Sequence, residues 1–186
     1  MFIQTESTPN PATLKFLPGQ TLLETGTADF PSREAAGDAP LPSRLFAVDG
    51  VVGVFVGSDF VTVTKADGHD WDHLKPALLG AIMEHVQSGA PAVDAAPAAS
   101  GHAEASEEDA EVVAQITELL DTRVRPAVAQ DGGDITFHGF DRGVVYLHMQ
   151  GACAGCPSST LTLKMGIENL LRHYIPEVLE VRPVAA

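Results

Sequence analysis

The chain has 186 residues, 45% hydrophobic and 19% charged, enough apolar material for one large or two small cores. Its formal net charge of -14, from 25 acidic and 11 basic residues, excludes nucleic acid and anionic membrane surfaces as expected partners, because both need a local Lys/Arg excess. No apolar run reaches the roughly 18 residues of a membrane span, and MFIQTESTPNPATLKF lacks the basic and apolar stretches of a signal peptide; the expected compartment is therefore reducing, a bacterial cytoplasm or, if the source is eukaryotic, the mitochondrial matrix.

Short strands are predicted at 2-FIQTES-7 and 13-TLKFLP-18, with the Pro- and Asn-dense 7-STPNPA-12 between them as a turn. A short helix around 43-SRLFAV-48 leads into 51-VVGVFVGSDFVTVTK-65, whose two β-branched and aromatic runs flank Gly57-Ser58-Asp59 as a hairpin. In 70-DWDHLKPALLGAIMEHVQSG-89, Leu74, Leu78, Ile82 and Val86 recur every four residues on one helical face, Asp70 and Asp72 suit the N-terminal end, and Gly89 and Pro91 stop the helix.

The run 88-SGAPAVDAAPAASGHAEASEEDA-110 has no aromatics and few large apolar side chains, and so cannot bury enough surface to offset the entropy of ordering it. It divides the chain into an N-terminal domain at 1–89, a flexible linker at 90–106 spanning on the order of 20 Å, and a C-terminal domain at 107–186. The C-terminal domain opens with a helix over 106–126. Ser106 and Asp109 resemble a capping box, and Val112 or Val113, Ile116, Leu119, Leu120 and Val124 form its apolar stripe. After the turn 131-DGGD-134 come strands 135-ITFHGF-140 and 144-VVYLHMQ-150, joined by Asp141-Arg142-Gly143. A helix over 158–175, with Leu163, Ile167, Leu170, Leu171 and Tyr174 on one face, and a strand 178-VLEVRPV-184 complete an order of helix, strand, strand, helix, strand. The predicted fold class is mixed α/β (α+β), in two small domains.

Cys153 and Cys156 are the only two cysteines, and they lie in 150-QGACAGCPSSTLTLK-164, at a strand-to-helix junction rich in small residues. Amides at a helix start stabilise negative charge, so both thiols are expected to ionise more readily than a free cysteine. In a reducing compartment the pair reads as a metal-binding or redox site. Iron-sulfur clusters and structural zinc normally take about four protein ligands, so an all-thiolate site must be completed by a second copy of the chain. Three other readings stay open: a thioredoxin-like dithiol, zinc held by the pair with His138, His148 or His173, and two buried small side chains.

The remaining candidates carry structural explanations. His69 and His73, spaced i,i+4 beside Asp70 and Asp72, read as a solvated helix start in preference to a metal site. Gly132 and Gly133 read as a tight turn in preference to an anion cradle. Leu161 and Met165, if exposed, would suit a dimer contact. No Ser-His-Asp order, nucleotide loop or paired-carboxylate constellation is evident, so the chain is read as a non-enzyme.

The stretch GACAGCPSSTLTLKMGIENLL, the following IPEV and the preceding QDGGDI resemble the C-terminal domain of the NifU-like (Nfu) iron-sulfur scaffold and carrier proteins. TPNPATLKF, LFAVDGVVGVFVGSDFVTVTK and WDHLKP resemble the N-terminal domain of that family. The resemblance implies that Cys153 and Cys156 ligate a transient [4Fe-4S] cluster, or a [2Fe-2S] one, bridged between two subunits. It also implies delivery to apo iron-sulfur proteins after receipt from cluster-donor assembly proteins, a homodimer when loaded, and a docking or specificity role for the N-terminal domain, which has no cysteine.

Overall fold

The computed structural model describes residues 2–94, 109–154 and 157–184, with 157–159 described by backbone alone. The predicted linker core and Ser106 of the proposed capping box lie outside these residues. The chain divides into two compact units, Met1–Pro97 and Ala98–Ala186, both of mixed α/β structure as the sequence predicts.

The first unit contains β1 (Gln4–Ser7), β2 (Thr13–Leu17), β3 (Ala28–Phe30), α1 (Arg33–Ala36), α2 (Pro40–Phe46), β4 (Val51–Val56), β5 (Val61–Lys65) and α3 (Trp71–Ser88). The strands form one antiparallel sheet in the order β1-β2-β5-β4-β3. Registers Leu14↔Val63, Phe16↔Val61 and Phe30↔Val54 align one apolar face, and it joins Leu41, Leu45, Leu74, Leu78 and Ile82 of α2 and α3 in a single core. The four-residue stripe of α3 is buried as predicted, and Gly89 caps it in the left-handed conformation, φ +66. Beyond that cap Ala92 is buried, and its carbonyl accepts the Leu41 N–H at 3.1 Å, so the packed chain runs past the helix end. The sequence reading omits β3 and α1; elements of three and four residues are too short to show a period.

The opposite face of this sheet carries the row Glu6, Lys15, Thr62, Phe55, Asp29, one residue per strand. Burial pushes the Asp29 carboxyl from 3.8 up to about 6. A carboxyl whose folded value lies above its unfolded one binds its proton more tightly when folded. Its contribution to stability is therefore present at low pH and is lost as pH rises from 3.8 through about 6. Replacing Asp29 by Asn is expected to raise the unfolding free energy near neutral pH by up to about 3 kcal/mol, reduced by the residue's partial exposure, with the gain disappearing below about pH 4. Urea melts of both proteins at the two pH values check this, and a gain that persisted in acid would contradict it.

The second unit contains α4 (Ala110–Leu119), a π-helical turn (Leu120–Val124), α5 (Arg125–Gln130), β6 (Gly133–Asp141), β7 (Val144–Gly151), α6 (Pro157–Tyr174) and β8 (Glu180–Val184). The sequence reading ends the first helix at Pro126, whereas helical backbone continues to Gln130. Proline lacks an N–H and its ring clashes with the carbonyl four residues back. The widened turn just before it, where the Arg125 N–H reaches the Leu120 carbonyl, lets the chain pass. Asp109 occupies the α4 cap position without a side-chain capping bond.

Strands β6 and β7 pair antiparallel through the turn Arg142 (φ +49) and Gly143 (φ +83), two left-handed residues as a tight hairpin requires. β8 then pairs parallel to β7 at the sheet edge, where Pro183 costs no ladder bond. Ile116, Leu120, Ile135, Leu147, Ile167, Leu171 and Val181 build the core. Tyr174, predicted on the core face of α6, is half-exposed. It stands in the last turn, where the helix has run past the core; its ring lies against Arg123 and His173, and Ile175 takes the buried position.

Candidate functional site: the cysteine loop

The parallel arrangement β7-α6-β8 places the cysteine loop at the carboxyl end of β7, where strand passes into helix and open α/β sheets commonly present ligand sites. β7 ends at Gly151 with φ +64, which turns the chain inward. The Ala152 N–H donates to the Gly132 carbonyl at 3.2 Å, and the Ala154 N–H donates back to the Gly151 carbonyl at 3.1 Å. From the far side the Thr160 hydroxyl, in the first turn of α6, donates to the Cys153 carbonyl at 3.2 Å. The loop is thus held by hydrogen bonds to the β6 side and to α6.

Cys153 is only 6% exposed and belongs to the core cluster. This corrects the expectation of a readily ionised thiol: Cys153 is pushed up from 9.0 to about 12, first by burial and then by the negative charges of Asp131 and Asp134. A helix start alone favours the thiolate, but the fold sets the sulfur in the core and brings two acids near it, and these oppose ionisation. Burial and the neighbouring carboxylates therefore disfavour the thiolate of Cys153. Cys156 and Gly155 lie outside the described residues, so one of the two candidate sulfurs is placed.

The floor of the loop is the turn 131-DGGD-134. Gly132 makes the turn with φ +81, as the spacing suggests. Gly133 has a different reason to be glycine: a Cβ there would come within 2.5 Å of the Cys153 sulfur and 2.8 Å of the Gln150 carbonyl oxygen. The main chain of β6 lies directly against the sulfur, and any side chain would displace the loop.

Next to it Asp134 is buried, and Arg125 grips it bidentately, with Nε and Nη2 donating to the two carboxylate oxygens at 2.9 Å each. The Ile135 N–H donates to the same carboxylate at 2.8 Å, and Arg125 Nη1 reaches Asp121 at 3.1 Å. These contacts raise the Arg125 guanidinium further above its ordinary value, chiefly through the hydrogen bonds to Asp134. The sequence reading missed Arg125 and Asp134 as supports of the loop; two acids flanking two glycines, where a turn needs only one glycine, were the available signal.

The histidines do not assemble with Cys153 among the described residues, where no three His, Cys, Asp or Glu side chains form a metal-holding group. His148 alternates to the sheet face opposite the buried Leu147 and Met149, its Nε2 without a partner among the described residues. Burial first, then His138, lowers its ionisation. His173 packs on Tyr174 at the far end of α6. His69 precedes α3 and packs where a Gly50 side chain would stand, so it shares no helical turn with His73.

Comparison with known proteins agrees with this architecture. Residues 3–89 match the family described as "Scaffold protein Nfu/NifU N terminal", and residues 116–182 match the "NifU-like domain". The chain is 56% identical to the Arabidopsis thaliana protein named "NifU-like protein 4, mitochondrial", over 96% of this chain and 64% of that one. It is 54% identical to the Homo sapiens "NFU1 iron-sulfur cluster scaffold homolog, mitochondrial", over 99% of this chain and 72% of that one. The chain thus spans about two thirds of the length of these relatives. A solved NifU-like protein from Saccharomyces cerevisiae overlaps 52% of this chain and 87% of its own, at 21% identity and a TM-score of 0.47, a likeness too partial to add to the sequence matches. With both regions matched and more than half of the residues shared with full-length relatives, the chain belongs to the Nfu/NifU family of scaffold proteins.

Proposed function

We propose that this chain is an iron-sulfur cluster scaffold and carrier, which holds a [4Fe-4S] cluster between two copies through Cys153 and Cys156 and passes it to apo-proteins. The observation that carries the reading is a loop with two sulfurs per chain, held at its base by main-chain hydrogen bonds and by the close approach of Gly133. Two thiolates supply half of the roughly four ligands that a cluster takes, so two copies share the cargo and each holds it weakly. Transfer is ligand exchange: a bond forms from iron to a recipient cysteine, one bond to Cys153 or Cys156 breaks, and the recipient's thiol proton passes to the departing sulfur. Iron keeps its oxidation state.

In this reading residues 107–186 carry the cluster, 90–106 tether, and 1–89 dock the donor or the recipient. The names of the relatives, which call one an iron-sulfur cluster scaffold and both mitochondrial, support a reducing matrix-type compartment and a non-catalytic role.

The test is anaerobic loading of the full chain with ferric iron, sulfide and a thiol that reduces part of the iron. About four iron and four sulfide per two chains, in a species with the mass of a dimer, are expected. A monomer bearing a complete cluster would refute the bridging arrangement; zinc in anaerobically purified protein would favour the zinc reading.

A further inference from the structure

The outer surface of α6 has a strip that its own unit does not cover. Leu161 and Met165, one helical turn apart, are each 58% exposed, whereas Ile167 and Leu171 of the same helix are buried. Beside Met165 stands Gly166, with helical backbone and with no heavy atom within 4 Å of where a Cβ would be. Neither a left-handed conformation nor crowding within the chain requires glycine at a position where it weakens the helix relative to alanine. A glycine there leaves the backbone open to close approach by another body.

The charges of α6 are engaged elsewhere. Lys164 lies 4.0 Å from Glu180, while Glu168 accepts the Val181 N–H at 3.2 Å and lies 3.8 Å from Arg172. Leu161, Thr162, Met165, Gly166 and Asn169 are left as an uncharged strip. In a chain of net charge -14 two copies repel one another, and an uncharged strip is where contact between them costs least.

The strip also lies close to the loop. α6 starts at Pro157, directly after Cys156, and Thr160 is bonded to the Cys153 carbonyl. Leu161 and Met165 lie about 6 Å and about 12 Å along the axis from that start.

We propose that Leu161, Met165 and Gly166 form the surface through which a second copy of this chain docks, about a two-fold axis that turns the two cysteine loops toward each other. This rests on the subunit-bridging reading of the cluster. A two-fold axis sets like against like, so a contact one turn from the loop in one copy is one turn from it in the other. Two side chains per copy amount to far less than the roughly 800 Å² per partner of a stable interface, so the copies part when the cluster leaves. In the same unit Tyr174, also exposed, ends α6 about 25 Å along the axis from Pro157, too far to join a contact that closes on the loops.

The experiment compares the wild-type chain, the double variant Leu161→Glu/Met165→Glu, Gly166→Ala and the control Leu179→Gln, each loaded anaerobically with ferric iron, sulfide and a thiol and measured by sedimentation. The double variant is expected to raise the dissociation constant of the loaded dimer by more than about tenfold and to lose iron faster on dilution, with the apo melting temperature unchanged. Gly166→Ala is expected to melt higher as apo-protein yet dimerise more weakly when loaded, a pair of shifts that misfolding cannot produce. Leu179→Gln should match wild type. A loaded double variant that dimerises as wild type does would overturn the proposal while leaving the bridged cluster standing, and so would a defect confined to transfer into an apo-recipient, which would make the strip a recipient site. A wild-type monomer carrying a full cluster would instead remove the bridging reading itself.

Discussion

Changing Cys153 to alanine is expected to abolish cluster binding while lowering the stability of the apo chain by only about 1 kcal/mol, the cost of one small buried atom. Iron per chain after anaerobic loading and the midpoint of a urea melt measure the two effects separately. Cys153→Ser is the more informative companion. It should lose the same iron, but its hydroxyl enters a site 6% exposed, with the main chain of Gly133 against it, at a cost of about 1–3 kcal/mol. Serine is often chosen as a neutral stand-in for cysteine; here it should be the worse of the two. A serine variant as stable as the alanine one would mean that the sulfur is not buried in solution. Cys156→Ala should match the iron loss, as expected of a second ligand in a shared site.

Arg125→Ala is expected to produce the largest loss of stability, about 3–5 kcal/mol, because it leaves the Asp134 carboxylate buried without its cation. The guanidinium gives that carboxylate two hydrogen bonds, and the further one from the Ile135 N–H cannot neutralise a charge. Arg125→Lys keeps the charge and loses the planar fork, so an intermediate loss is expected. Adding Asp134→Asn to Arg125→Ala should recover part of the deficit, since a neutral amide is less costly to bury than a carboxylate that has lost its guanidinium. Because Asp134 pairs across the sheet with Gln150, three residues before Cys153, the alanine variant should also retain iron poorly once loaded. Denaturant melts with an unchanged slope test the stability claim; a loss under about 1 kcal/mol would show that water, and not Arg125, solvates Asp134.

Much of the architecture was legible because it depends on local periodicity. The spacing of Leu74, Leu78, Ile82 and Val86 determined a helix and its buried face, and the β-branched runs about Gly57-Ser58-Asp59 determined a hairpin. β3 and α1 were not legible, since three or four residues held by pairing and capping leave no periodic trace. Pro126 misled for a related reason. A proline deep in a helical stretch removes a bond and crowds the preceding turn, and only the chain's accommodation as a π-turn shows that Pro126 did not end this helix.

The site divides along the same line. By itself the sequence determined that sulfur chemistry in this chain rests on two cysteines at a strand-to-helix junction, since their number and flanking small residues are properties of the linear chain. Only the tertiary structure decided what surrounds Cys153: the bare backbone of Gly133 against its sulfur, the acids Asp131 and Asp134 nearby, and Arg125 holding one of them. A helix start favours an ionised thiol, whereas burial and neighbouring carboxylates oppose it, and that balance is set by distances across the fold.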